Sequence, residues 1–333
     1  MNKMLLAGAG LGLVAAVVFA SATTGPVFVR FLLMFLTPLP IALAGLGWGW
    51  RSAVVAGIAG SAVVLLFASP VVAAAFAVTQ AVPMAVLTYL ALLSRPLAES
   101  SIAAGDDGSG VEWYPAGRIV IWSAVLAGLM GIGTLMLLGG DLETLRKALA
   151  EFIKTAIASS GLPGAESQTQ VSDAEITALS EIALSMLPGA SAMSWMGSLL
   201  FNLWLAGRVT LASGQLGRPW PDLAAITYPQ GTPLAFGIML LATMLSGYAG
   251  LAASAFAGGL LVAYLLMGLA ILHYTTRGRS WRPFALWALY GMLLVVNVWI
   301  AIPIAMLGLA ETIFHLRARS AAPPGSPPLP PNS

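Results

Sequence analysis

Apolar and polar positions alternate along this chain in long blocks, with apolar runs close to the length of a bilayer crossing separated by short polar or aromatic-basic punctuation. About 20 helical residues at 1.5 Å each cover the roughly 30 Å hydrocarbon core. Such runs occupy 4–19, 27–47, 52–68, 71–93, 119–138, 190–213, 233–246 and 251–274. Hydrocarbon supplies no hydrogen-bond partners, so crossing backbone must be helical or form a closed barrel. The short alternating segments of a barrel are absent. The pattern predicts an all-α fold, a polytopic transmembrane helical bundle of about eight spans. A further apolar stretch, 283–316, is broken at Asn297 and Pro303. It forms either one kinked helix or a hairpin of two shorter ones, raising the total to nine or ten. Arg317 and Arg319 favour the hairpin, which returns them to the side holding the other cations.

The chain divides accordingly. Residues 1–93 form a four-helix membrane segment and 94–117 a flexible cytoplasmic loop. A second membrane segment, 118–316, contains an insert at 141–187, and 317–333 is a Pro-rich tail expected to be disordered. The insert is too polar to cross, yet Leu142, Leu145, Leu149 and Phe152, then Ile176, Leu179, Ile182 and Met186, recur at helical spacing. Two amphipathic extracytoplasmic helices are expected. Gly161-Leu162-Pro163-Gly164 separates them, and Ser172 with Glu175 forms a capping box opening the second. Lys3, the following apolar run and Ala20-Ser21-Ala22 fit either a cleavable signal peptide or a retained first helix. Both enter with the N-terminus cytoplasmic, so the orientation downstream is the same.

Charge enters the picture by its scarcity: 15 Lys and Arg and 13 Asp and Glu in 333 residues, a surplus of two. That surplus is too small to suggest nucleic-acid binding, and the basic residues read as topology signals. With no cysteine, disulfides, thiolate metal sites and cysteine nucleophiles are excluded. A phosphate-cradling loop needs glycines ahead of a Lys, and none of Lys3, Lys147 or Lys154 has them. The two histidines, His273 and His315, stand apart at span ends, so zincin chemistry has no ligand pair. No enzyme activity and no cofactor are expected.

Polar groups inside spans are costly and carry information. Arg30 and Arg208 lie near span ends, where snorkelling explains them. Glu311 faces Arg317 or His315 as a partner at the hairpin foot. Gln80, Asn202 and Asn297 lie deeper, serving either as interhelical hydrogen bonds or as ligand contacts. Thr37-Pro38-Leu39-Pro40 frees backbone carbonyls at membrane depth, which only protein or a water-lined cavity can satisfy. Thr37, Pro38, Pro40, Gln80, Asn202 and Asn297 are the candidate substrate-binding set, against a purely packing role. Small residues four apart, Ala16/Ala20, Gly45/Gly49, Ala56/Gly60 and Gly250/Ser254, allow close helix approach.

The run Leu36-Thr37-Pro38-Leu39-Pro40 through Gly45-Leu46-Gly47-Trp48-Gly49-Trp50-Arg51, with Ala263-Tyr264, Gly268-Leu269, Leu272-His273 and Gly308-Leu309-Ala310-Glu311, resembles the YybS-like family of uncharacterised bacterial polytopic membrane proteins. Its N-terminal half is distantly similar to the S components of energy-coupling-factor transporters, which bind a small solute and borrow a separate ATPase. The resemblance implies a solute-binding subunit of the bacterial cytoplasmic membrane, with a cavity near Pro38/Pro40. It also implies an external ATPase and transmembrane coupling module, with Ala16 and Ala20 as a docking face. The competing expectation is a non-transporting organiser of envelope or cell-division machinery.

Overall fold

The computed structural model of the protein describes residues 2–96, 110–139, 141–159, 172–296 and 298–321. Among them almost everything is helical. In order come α1 (Asn2–Ser21), α2 (Val27–Leu36), α3 (Leu39–Trp48), α4 (Trp50–Phe67), α5 (Pro70–Phe76), a π-turn (Ala77–Ala81) and α6 (Val82–Ala91). Strands β1 (Ser94–Pro96) and β2 (Val111–Trp113) pair antiparallel, tying the two ends of the expected 94–117 loop. Its centre, 97–109, lies outside the described residues. Then follow α7 (Ala116–Gly139), α8 (Leu142–Ser159), α9 (Asp173–Ala212), a 3-10 turn (Leu223–Ala225), α10 (Thr232–Ala242), α11 (Gly247–Thr275), α12 (Arg282–Val296), α13 (Val298–Phe314) and α14 (Leu316–Ala321). Among the described residues seven segments are long and apolar enough to cross a membrane: Lys3–Ser21, Val27–Trp48, Trp50–Phe67, Pro70–Ala91, Ala116–Gly133, Asp173–Ala212 and Gly247–Thr275. The all-α polytopic bundle stands.

Small residues hold the helices together because lipid tails are as apolar as leucine, leaving van der Waals packing to drive association. On α1, Gly8 and Gly12 lie against the α4 backbone at Ser52 and Ala56, and the Ser52 hydroxyl donates to the Met4 carbonyl at 3.1 Å. On α11, Gly258 meets Gly189 of α9, Gly259 meets Ala124 of α7, and Gly268 crosses α13 at Ile304. Among the described residues two large apolar cores result, one centred on α1 and α3–α6 and the other on α7, α9 and α11, with a smaller cluster of Leu135, Leu145, Leu184 and Leu251 beside them.

Three expectations change. The insert's second helix does not end at 187: α9 runs unbroken for 40 residues through Pro188. A mid-helix proline costs roughly 3 kcal/mol. Here the turn is held by packing, with Gly189 against Ser254 and Gly258 and Gly131 against the Pro188 carbonyl. The capping box is present, the Ser172 hydroxyl accepting from the Glu175 amide at 3.2 Å while the Glu175 carboxylate accepts from the Ser172 amide at 2.7 Å.

The seventh span is also different. Its helix α10 has only 11 residues, too few to cross. The chain instead enters the bundle as a 3-10 turn and an extended strip in which Ala224, Ile226 and Tyr228 point inward and their neighbours outward. The Tyr228 hydroxyl donates to the Ala263 carbonyl at 2.6 Å. Ala263 lies 12 residues before the end of α11, hence roughly 18 Å along its axis.

The C-terminal stretch leaves and returns to one end. Arg282 lines a cavity together with Arg277, and the Arg317 guanidinium lies 5.8 Å over the Tyr274 ring at the foot of α11. This is the hairpin form, and Asn297 lies outside the described residues. The expected tail therefore starts later than 317, because Leu316–Ala321 is helical and Arg317 is anchored.

Candidate functional site

Two interruptions of the helical backbone organise the interior, and each is closed by a donor from another helix. At the first, Pro38 and Pro40 remove the amides that would have continued α2 into α3. The Phe35 carbonyl takes bonds from Ser198 Oγ and Asn202 Nδ2 of α9, each at 2.7 Å, and Thr37 Oγ1 donates back to the Leu33 carbonyl at 2.9 Å. The second is the non-helical strip before α10. There Arg317 donates to the Ala224 and Ile226 carbonyls, each at 2.7 Å, while its Nε donates to Glu311 Oε1 at 2.7 Å. Non-helical backbone at membrane depth is tolerated where protein satisfies it or where it lines a cavity. The second interruption meets both conditions.

Its outer side borders a cavity of 960 Å³ walled by α9, the 216–226 strip, the lower half of α11 and the start of α12. The wall is apolar, with Leu200, Leu203, Leu266 and Ile226, while Trp204 and Trp220 add aromatic surface. Polar groups gather at one rim: Arg218, Asp222, His273, Arg277, Arg282 and Tyr290. Asp222 is engaged by both terminal nitrogens of Arg277, and that pairing holds its carboxyl below the ordinary range. His273 Nε2 and the Tyr290 hydroxyl share a bond of 2.8 Å, tying α12 to α11. The Arg208 guanidinium stacks 5.2 Å over Trp220.

Two rim cations stay without a carboxylate partner among the described residues, Arg218 and Arg282. Arg218 Nη1 donates to the Ala91 carbonyl at 2.9 Å, but its Nε is buried with no hydrogen-bond partner. Burial alone lowers its pKa, and a guanidinium stays protonated regardless.

A second cavity, of 930 Å³, lies toward the other end of the same helices, walled by Met186, Met193, Phe236 and Ile302, with the Arg146–Glu181 pair among its lining residues. The two cavities share the flanks of α9 and α11 and come within one residue at Leu261 and Val262.

The residues expected from sequence are distributed as follows. Thr37 and Pro40 are buried, and Asn202 meets the Phe35 carbonyl beside them. Gln80 is fully buried in the π-turn next to Pro83, its Nε2 donating to Thr79 Oγ1 at 3.2 Å and its Oε1 unpaired. Asn297 lies outside the described residues. None of the other five lines either cavity. Ala16 is 2% exposed inside the first core while Ala20 is exposed, so the pair does not form one open docking face. The rim arginines were legible only as topology marks, since residues 218, 277 and 282 are gathered by the fold. The one local signal is the density of aromatic, proline and charge in Arg218-Pro219-Trp220-Pro221-Asp222.

The model of a family described as predicted membrane protein (DUF2232) matches residues 13–312, most of the chain. The chain belongs to that family. No curated protein and no solved structure matches it. For this member of the DUF2232 family, a multi-pass membrane protein, the function has to be argued from the cavity.

Proposed function

We propose that the protein is a transporter-like subunit of the bacterial cytoplasmic membrane that binds a small anionic ligand in the 960 Å³ cavity and contains no ATPase of its own. The observation that carries this reading is the non-helical strip 223–231, whose Leu223, Ala224 and Ile226 line the cavity together with Arg218 and Arg282, two arginines without a carboxylate partner among the described residues. Interrupted helices beside a cavity are the usual way transporters expose backbone and charge to a ligand. Two cavities toward opposite ends of α9 and α11, the second lined by Gly189 and Gly258 where these helices meet, support it further. Any motive force comes from outside, as in the energy-coupling-factor systems that the sequence resembles, where a separate ATPase supplies it.

The arginine-bearing end carries Arg51, Arg118, Arg208, Arg218, Arg277, Arg282 and Arg317, so the positive-inside rule places it in the cytoplasm together with the N-terminus. A fluorescent-protein fusion after Ala321 is expected to fluoresce, and an alkaline-phosphatase fusion at the same point to be inactive. An active phosphatase there would invert the orientation.

Binding is tested by thermal denaturation of the purified protein against organic phosphates, carboxylates, vitamins and metal ions, because a ligand of the native state raises stability by about 2.7 kcal/mol at a hundredfold excess over Kd. Saturable stabilisation by anions, weakened in Arg282→Gln, is the expected result. A panel that stabilises nothing, lipids included, removes the reading and favours the scaffold role in envelope or cell-division machinery.

A further inference from the structure

The proposed binding role leaves the chemical class of the ligand open, and the surroundings of the cavity narrow it. We infer that the cavity takes an anionic lipid, entering sideways from the bilayer, with its phosphate at Arg218 and Arg282 and its chains against α9 and α11. The inference rests on the binding reading above and specifies its ligand.

Charge comes first. Asp222 is already engaged by Arg277, so the uncompensated charge of the rim is the positive charge of Arg218 and Arg282. Arg218 lines the cavity with Nη1 held by the Ala91 and Tyr114 carbonyls and Nε enclosed without a hydrogen-bond partner, so no carboxylate answers its charge and an oxyanion at the wall would. Depth comes second. These cations sit at the foot of the crossing helices α9 and α11, the level at which lipid phosphates lie, and Trp204 and Trp220 stand beside them as interfacial aromatics do. Access comes third. Phe201 and Trp204 line the cavity yet are 41% and 45% exposed, so the wall continues onto the lipid-facing surface. Helix α12, apolar apart from Arg282 and the Tyr290 hydroxyl, buries none of its residues and lines the cavity through those two. A water-soluble anion would be better served by a closed, polar pocket than by an apolar one that opens sideways.

The test uses the full-length protein in non-ionic detergent and three probes: dioleoyl phosphatidylglycerol, dioleoyl phosphatidylcholine with the same chains, and glycerol 3-phosphate, which has a phosphate head and no chains. Thermal stability is titrated and the lipids retained are counted by native mass spectrometry. Phosphatidylglycerol is expected to stabilise saturably with one lipid retained, phosphatidylcholine and glycerol 3-phosphate to do neither. Arg282→Gln is expected to weaken the effect about tenfold, the loss of one charge-assisted bond, and Arg146→Gln at the opposite end to leave it unchanged. Arg218→Gln is expected to act similarly. Because that side chain also ties down the Ala91 carbonyl, Arg282→Gln decides if the Arg218 variant fails to fold. Equal effects of the two lipids would mean general solvation and overturn the inference. Stabilisation by glycerol 3-phosphate without phosphatidylglycerol would overturn the lipid assignment and leave the binding role standing. Silence from all three and from the soluble panel would remove both.

Discussion

Replacing Arg317 by Gln is expected to destabilise the protein by roughly 4 kcal/mol, the cost of stripping the partner from a buried carboxylate. The side chain is 11% exposed and its partner Glu311 7%, so little water is available to take over. The loss extends beyond the ion pair, because the Ala224 and Ile226 carbonyls also lose their donor, and each orphaned buried acceptor costs about 1–3 kcal/mol. Glu311→Gln should be milder, since Arg317 keeps both carbonyls and a neutral acceptor. The combination Glu311→Gln with Arg317→Met should recover part of the loss by removing the stranded charge, while the two carbonyls remain unmet. Denaturant unfolding in mixed micelles orders the three variants. Arg317→Gln no worse than Glu311→Gln would mean that the strip is held by something other than this clamp.

Gly258→Leu is expected to cost more than about 3 kcal/mol, beyond ordinary overpacking, because backbone rather than a yielding side chain occupies the space. A Cβ at 258 would overlap the Gly189 backbone, and the leucine would have to lever α9 away from α11 along the full contact. Gly258→Ala should already be measurable. Gly133 on α7 has nothing within 4 Å of the same added atom, so Gly133→Ala should be neutral or slightly stabilising through the entropy of the unfolded chain. Thermal unfolding followed by size-exclusion profile distinguishes these cases, and a tolerated Gly258→Leu would remove the close crossing from the account.

Much of this fold was legible in the sequence because hydrocarbon imposes simple rules. Run length marks the crossings, and the Ser172–Glu175 spacing announced a cap that the structure contains. Asn202, chosen as a costly polar group inside a span, does bond another helix, at the carbonyl that the Thr37–Pro40 break exposes. The rest depended on long-range contact. Beside Pro188 only Gly189 belongs to the packing that carries α9 onward, because its partners Gly131, Ser254 and Gly258 lie on α7 and α11. The strip 223–231 falls between two expected spans, 190–213 and 233–246, and its inward role is hidden because its alternation is short and its clamp, Arg317, lies 93 residues from Ala224. The cavity is of the same kind. Its wall joins segments from 46 to 290, and the arginines that give it character serve equally as topology marks when read singly.

Helix α9 has a mechanical consequence. A straight rod of 40 residues is roughly 60 Å long, twice the hydrocarbon thickness, and Gly189 is the point at which it presses closest on α11. From that pivot the outer arm to Asp173 is about 24 Å and the inner arm to Ala212 about 35 Å, and Trp204 lies about 22 Å along the inner arm, level with Asp173 on the outer one. A tilt of about 5° would swing Asp173 and Trp204 by about 2 Å in opposite directions. Force applied to the outer end, where Lys154 of α8 pairs with Asp173 at 3.4 Å, would therefore arrive at Trp204 with its direction reversed and its size almost unchanged.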